Sequence, residues 1–98
     1  MIRLAILYPN TPGSHFDVDY YRDVHLPLGR KLLGSALVGI ELDVAAGKAP
    51  YHAIGYLIFD SMEGFQAAFA KAQAELGADV KNYTDVQAVV QISNYEKV

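Results

Sequence analysis

Two segments of this chain alternate like β-strands and yet carry apolar side chains on both faces. From Ile2 to Tyr8, the even positions place Ile, Leu, Ile and Tyr on one face, while Ala5 and Leu7 occupy the other. The segment from Tyr51 to Phe59 shows the same two-sided pattern. Because successive strand side chains point to opposite faces of a sheet, both faces of the sheet that these strands form require a cover.

The chain is short for a fold with two covered sheet faces. It has 98 residues, of which 52% are hydrophobic. A domain of this size buries roughly two-thirds of the surface that its unfolded chain exposes, which allows one core but not two. We therefore expect a single domain spanning residues 1–98. The high apolar fraction and the net charge of −3 argue against disorder.

A helical spacing begins after Asp17, which is the predicted N-cap. Its stripe is formed by Tyr21, Val24, His25, Leu28 and Leu32. Pro27 predicts a kink or a fresh helical turn, because proline has no N–H and its ring crowds the preceding turn.

A second helix is predicted to begin at Asp60 as N-cap, with Glu63 completing a capping box, and to end at Gly77. Its stripe is formed by Met62, Phe65, Phe69, Ala72 and Leu76. Residues 36–46 alternate with one polar face, which is typical of a strand near a sheet edge. An irregular stretch over 78–85 leads to a last strand over 86–94, for which we also expect apolar side chains on both faces.

The element order βαββαβ is typical of an α+β, ferredoxin-like fold with a four-stranded antiparallel sheet and two helices on one face. Two helices cover only that face, so a second copy of the chain is the economical cover for the other. We predict a homodimer whose sheets pack face to face, as in a dimeric α+β barrel. The alternative is an open monomer with an apolar sheet surface.

The composition excludes several classes of function. The absence of cysteine excludes disulfides, Cys-ligated zinc, iron–sulfur clusters and thiol catalysis. Eight scattered Lys and Arg against eleven Asp and Glu argue against nucleic-acid binding. No apolar run approaches the roughly 18 residues of a membrane span and no signal peptide is evident, so we expect no membrane partner and a cytoplasmic location. No metal-ligand spacing or phosphate loop occurs, which predicts neither metal nor cofactor.

Three histidines are the main candidates for chemistry. His25 follows Tyr21 by one helical turn, so imidazole and phenol project toward the same place. His25 is the candidate general acid/base, and the alternative is a core histidine that donates to a carbonyl group left free near Pro27. His15 lies in the loop before the first helix, at the mouth of any helix–sheet pocket, unless it is simply solvated. We expect His52 to pack across strands or face solvent.

Tyrosines are the candidate substrate-binding residues. Small ligands usually enter near strand ends and the loops beside them, where phenols can orient or polarise an oxygenated ligand. The alternative for each tyrosine is half-buried packing. The candidates that join His15 are Tyr8, Tyr21, Tyr56 and Tyr83.

The segment from Phe16 to Leu28, which reads FDVDYYRDVHLPL, resembles the signature of the EthD family when it is taken with the preceding Leu7-Tyr8-Pro9-Asn10. The resemblance continues through 50–61, 82–85 and 89–92 and covers nearly the whole chain. In the family motif the histidine falls on His25, with Tyr21 in the preceding aromatic pair.

The resemblance implies the dimeric α+β barrel superfamily, in which ferredoxin-like protomers face each other through their sheets. EthD itself is named for a cluster that degrades ethyl tert-butyl ether. The wider superfamily includes cofactor-free polyketide cyclases, muconolactone-type isomerases, quinol-type monooxygenases and haem-degrading enzymes, and fungal EthD-domain relatives are linked to aromatic decarboxylation or dehydration. Such breadth leaves the reaction open.

Taken together, the residues and the resemblance predict a cofactor-independent enzyme of cyclase, isomerase, decarboxylase or oxygenase type. Its substrate would be a small hydrophobic or aromatic oxygenated metabolite in a helix–sheet cleft, with His25 as the catalytic residue. The alternative is a non-catalytic binding or accessory protein in a xenobiotic degradation pathway. A third hypothesis, by analogy to superfamily relatives, is haem binding with His25 or His15 as axial ligand.

Overall fold

The computed structural model of the chain describes residues 1–98 and contains four strands and two helical regions. The elements are β1 (Ile2–Pro9), α1 (Val18–Tyr20), a π-helical segment (Tyr21–His25), α2 (Leu26–Leu33), β2 (Leu37–Val44), β3 (Tyr51–Phe59), α3 (Met62–Asp79) and β4 (Val89–Asn94). The first three helical elements are continuous, and we call them together the N-terminal helix. Neither α3 nor any shorter helix combines the length and hydrophobicity that a membrane span requires.

The four strands form one antiparallel sheet in the order β2-β3-β1-β4. The βαββαβ order and the ferredoxin-like fold that it predicts are confirmed. β2 lies at an edge, as its single polar face indicates. β1 and β3 occupy the centre, which agrees with their apolar character on both faces.

The hydrophobic core lies between the sheet and the helices. Leu4 of β1 pairs with Leu57 of β3, and both are buried in the same cluster as Phe65 and Leu76 of α3 and Leu33 of the N-terminal helix. Both helices therefore cover the same face of the sheet, as predicted.

The opposite face of the sheet, which we call the open face, has no covering element within the chain. β1 and β3 place apolar side chains on it, as predicted: Ala5, Leu7, Ile54 and Ile58. β4 contributes mainly polar side chains there, with Gln91 and Ser93 beside Val89. The prediction that β4 is apolar on both faces is therefore wrong.

The π-helical segment changes which residues of the N-terminal helix are buried. Asp17 is the N-cap, as predicted, and accepts from the Tyr20 N–H. Further along, the Leu26 N–H bonds the carbonyl of Tyr21, five residues earlier, just before Pro27, which cannot donate.

The wider π turn adds one residue to the helix. After His25, the buried residues are therefore displaced by one position from those that a regular α-helix predicts. Leu26, Gly29 and Leu33 are buried, whereas the predicted Leu28 and Leu32 are only half-buried and Val24 is exposed. The predicted stripe is thus right for Tyr21 and His25, but wrong for Val24.

α3 begins and ends at other residues than its sequence predicts. Ser61, rather than Asp60, is the N-cap, and its Oγ accepts a hydrogen bond from the Gly64 N–H at 3.0 Å. Gly77 does not end the helix, which continues to Asp79 and is followed by a 3₁₀ turn over Val80–Asn82. This extension brings Asp79 to the side of His25.

Tyr21 packs its ring edge directly onto the backbone of β3. Its side chain is fully buried, and its hydroxyl has no hydrogen-bond partner. This hydroxyl lies against Gly55 of β3. A Cβ atom at position 55 would overlap the Tyr21 hydroxyl. Gly55 is therefore needed for the close approach of the N-terminal helix to the sheet.

We expect Gly55→Ala to lower the free energy of unfolding by about 1–3 kcal/mol, because the added methyl group overpacks this contact. Tyr21→Phe should cost little by itself, since the hydroxyl that it removes is unpaired. The double variant should recover part of the Gly55→Ala loss. Urea unfolding of the four proteins measures this coupling, and strictly additive losses would contradict the contact.

Candidate active site

A cavity of about 570 Å³ lies between the helices and the sheet. Its volume is within the range of roughly 300–1,000 Å³ that is typical of small-molecule sites. The wall is mainly apolar, since 15 of its 20 lining residues are hydrophobic. On the β4 side, Val90 and Ile92 line the cavity and remain about half exposed, so a ligand could enter there.

A polar corner in this apolar cavity is formed by His25, Tyr8, Tyr21 and Tyr83. The hydroxyls of Tyr8 and Tyr83 lie 2.7 Å apart, and the Tyr83 hydroxyl lies 3.4 Å from His25 Nε2. The His25 ring packs on Tyr83 and Tyr21, with ring centroids 4.6 and 5.5 Å apart. The structure thus brings together four of the six predicted site residues.

Behind this corner, His25 Nδ1 is bound to Asp79 Oδ2 at 2.9 Å. The other carboxylate oxygen of Asp79 accepts hydrogen bonds from the Tyr20 hydroxyl at 2.7 Å and from the Asn82 amide at 2.9 Å. Burial opposes the charge of Asp79, yet the hydrogen bonds from Tyr20, Asn82 and His25 outweigh it and lower the pKa of Asp79 below its usual value of 3.8. Asp79 is therefore ionised at neutral pH.

The Asp79 carboxylate determines the tautomer of His25. An ionised carboxylate only accepts, so Nδ1 carries the proton and Nε2 keeps a lone pair on the side of Tyr83. Burial raises the pKa of Tyr8 and of Tyr83, which keeps both phenols protonated. The hydrogen bonds then run in one direction, from Tyr8 to Tyr83, to His25 and to Asp79.

This arrangement can take up a proton. Nε2 can accept a proton from a ligand in the cavity, while the buried Asp79 carboxylate stabilises the imidazolium ion that forms. A tyrosine hydroxyl beside Nε2 can donate to an oxygen on which negative charge develops. The corner therefore combines a base, a carboxylate that orients it and a hydrogen-bond donor.

The structure places the other two predicted site residues, Tyr56 and His15, outside the cavity. Tyr56 lies between Gly55 and Leu57 on β3, so strand alternation directs it to the open face, where its hydroxyl donates to Asp43 at 2.9 Å. His15 is exposed, and only its backbone is engaged, through hydrogen bonds with Asp85 and Thr84.

His52 also lies apart from the cavity, and it packs on the segment before α1 rather than on a neighbouring strand. Its Nε2 is 2.7 Å from Ser14 Oγ, and its ring stacks on Phe16 with a centroid distance of 5.7 Å. No three His, Asp or Glu side chains group together in a way that would hold a metal ion. Haem ligation through His25 would have to use Nε2, and the Tyr83 hydroxyl lies 3.4 Å from that nitrogen and would have to move aside.

Three residues of the site were not predicted from the sequence: Asp79, Tyr20 and Asn82. Asp79 is 54 positions from His25, and no local spacing links the two. An acidic side chain is unfavourable at a helix C-terminus, but this signal appears only once the structure extends α3 past the predicted end at Gly77 to Asp79. A carboxylate that opposes the helix dipole is better explained by a partner elsewhere in the fold.

Residues 14–87 match the family whose description is EthD domain. The crystal structure of an EthD-like protein from Ralstonia eutropha JMP134 is similar to this chain with a TM-score of 0.86 and 39% sequence identity, over 94% of this chain and 88% of that one. An EthD family protein from Bacillus halodurans C-125 is similar with a TM-score of 0.72 and 19% identity, over 98% of this chain and 99% of that one.

More distant structures share the fold alone. A dimeric protein of unknown function with a ferredoxin-like fold, from Bacteroides fragilis NCTC 9343, is similar with a TM-score of 0.58 and 9% identity, over 96% of this chain and 94% of that one. Among curated proteins, none matches the sequence.

The lowered pKa of Asp79 predicts a loss of stability in acid. Its stabilising contribution is complete above the usual carboxyl value of 3.8 and is lost as the pH falls below that value toward the lower pKa of the folded state. Asp79→Asn has no carboxylate to protonate at this position. Its free energy of unfolding should therefore fall less than that of the wild type between about pH 5 and about pH 2, as measured by urea unfolding. An equal acid loss in both proteins would contradict the assignment.

Proposed function

This chain belongs to the EthD domain family, and from that premise and the geometry of its cavity we propose that it is a cofactor-independent enzyme. It catalyses proton transfer on a small hydrophobic, oxygenated metabolite. The observation that carries the proposal is the hydrogen-bonded chain of Tyr8, Tyr83, His25 and Asp79 at one corner of an otherwise apolar cavity.

In the proposed reaction, His25 acts as the base. The Nε2 lone pair forms a bond to a proton of the substrate, the C–H or O–H bond breaks, and its electron pair stays on the substrate as an enolate or phenolate. Tyr83 donates a hydrogen bond to the oxyanion, and Asp79 holds the imidazolium. Return of the proton from Nε2 to a different atom of the substrate gives an isomerised product and restores His25, so no co-substrate is consumed.

The surroundings of His25 favour this role over that of a core histidine. A core histidine beside Pro27 would donate to a free backbone carbonyl, whereas both ring nitrogens here face side chains, those of Asp79 and Tyr83. The ring also lines the cavity. An imidazole that is oriented by a carboxylate and is accessible to a ligand is the arrangement that general base catalysis requires.

Non-catalytic binding is the alternative, since the apolar wall would hold the same ligand. Asp79 is the observation that favours catalysis. Its side chain is 13% exposed, lies behind His25 and does not line the cavity, so it contributes no contact to the ligand. A buried carboxylate costs desolvation energy, and stabilising a protonated His25 gives it a function.

We expect His25→Gln to lower kcat by about 10²- to 10⁴-fold, because it removes the base and keeps a side chain of similar polarity. Asp79→Asn should lower kcat by about tenfold or more with little change in KM, since Asp79 does not touch the ligand. Asp79→Glu should restore part of the rate. Candidate phenols and enolisable ketones are screened for conversion by mass spectrometry, and initial rates are then measured on the substrate that is found.

The control is His52→Gln, which changes a histidine outside the cavity and should leave the rate unchanged. Full turnover in His25→Gln would contradict the proposed mechanism. Tight binding of metabolites that are recovered unchanged after long incubation would instead support the binding protein.

We further propose that the protein is a homodimer whose open faces pack together. The support is the row of Ala5, Leu7 and Ile54, which the chain itself leaves partly exposed on the open face, together with the dimeric assembly described for the Bacteroides fragilis protein. A single domain over residues 1–98 and a cytoplasmic location also stay predictions.

Light scattering should give about twice the 10.7 kDa mass of the chain. Leu7→Lys should shift the protein toward the monomer, because it places a charge in the proposed interface. Val24→Lys is the matched control on an exposed helix position, and it should remain dimeric. A stable wild-type monomer at micromolar concentration would contradict the predicted homodimer.

A further inference from the structure

The lining of the cavity carries no Lys, Arg, Asp or Glu side chain. Its polar side chains are His25, Tyr8, Tyr83, Gln73 and Gln87, whereas the hydroxyl of Tyr21 lies against the backbone of β3. We infer that the site selects a ligand that is uncharged at neutral pH, such as a phenol or an enolisable ketone, and rejects carboxylates and phosphate esters. The inference deepens the proposed function and rests on it for the placement of the ligand's acidic group beside His25.

The polar corner opposes an anionic ligand. An anion that enters the cavity loses its hydration, and the lining offers no cation in return. The charge behind His25 is the carboxylate of Asp79, 2.9 Å from Nδ1, which repels a second anion. Lys71 and Lys81, the cations on and just after α3, are exposed and do not line the cavity.

A neutral hydroxyl suits the same corner. The Tyr83 hydroxyl lies 3.4 Å from Nε2, which is long for a hydrogen bond from a hydroxyl group. A phenol or enol hydroxyl on the ligand can therefore take over as the donor to Nε2 while its oxygen accepts from a tyrosine. No charge is desolvated until the proton moves, and the anion then forms beside an imidazolium ion.

Two glutamines extend this neutral character beyond the polar corner. Gln73 lies on α3 and Gln87 lies just before β4, and both are exposed residues that line the cavity. An amide both donates and accepts hydrogen bonds without adding charge. These side chains therefore suit a second neutral oxygen of the ligand, such as a ketone or hydroxyl group, and we assign them to specificity.

The test compares two probes with the same ring system, 2-naphthol and 2-naphthoate. At pH 7 a phenol is protonated, because phenols titrate near pH ~10, whereas a carboxylic acid with a pKa of about 4 is ionised. Isothermal titration calorimetry should give a Kd for 2-naphthol that is at least about tenfold lower than that for 2-naphthoate. Equal or tighter binding of 2-naphthoate, or no binding of 2-naphthol at millimolar concentration, would overturn the inference.

A second variant supplies the missing cation. Gln73→Arg should lower the Kd for 2-naphthoate by about tenfold or more relative to the wild type, because a guanidinium pairs with a carboxylate. Gln66→Arg is the matched control, since Gln66 is equally on α3 and exposed but does not line the cavity. A similar gain in both variants would mean non-specific attraction and would count against the inference.

The two proposals can fail separately. If 2-naphthol is preferred while His25→Gln keeps full turnover, the selection of neutral ligands stands and the catalytic role of His25 fails. If 2-naphthoate is preferred while His25→Gln loses turnover, the role of His25 as the base is supported and the selection of neutral ligands is contradicted. Neither binding measurement requires that the natural substrate be known.

Discussion

The partly buried hydrogen bond between His25 and Asp79 joins the middle of the N-terminal helix to the end of α3. An ionised carboxylate in this position is tolerated because Tyr20, Asn82 and His25 together supply its donors. The same bond orients the imidazole and directs Nε2 toward the cavity, beside the Tyr83 hydroxyl. One interaction thus links the two helices and sets the tautomer of the candidate base.

The π-helical segment explains how His25 and the rest of its helix both find buried positions. In a regular α-helix, the stripe that contains Tyr21 and His25 would continue through Leu28 and Leu32. The extra residue in the π turn instead rotates the following part, so that Gly29 lies against Leu76 of α3. Pro27 favours this change because it cannot donate a regular hydrogen bond, and π-helical turns often occur at functional sites.

Much of the fold could be predicted from local patterns, and so could part of the site. Alternation located β1 and β3, Asp17 marked the start of the N-terminal helix, and the spacing of Tyr21 and His25 placed both in the core. Tyr56 shows the limit of such patterns. Local spacing does not distinguish this residue from the other candidate tyrosines, whereas the register of β3 places it on the open face.

By itself, the sequence determined the order of the elements, the apolar faces of the central strands and the presence of an imidazole and a phenol on one helical stripe, because these depend on neighbours a few positions apart. Only the tertiary structure decided that Asp79 orients His25, that Tyr8 and Tyr83 extend the hydrogen bonds, and that no charged side chain lines the cavity. Those features join residues 54 to 75 positions apart. Their contacts exist only once the sheet and both helices have packed, so no local pattern could encode them.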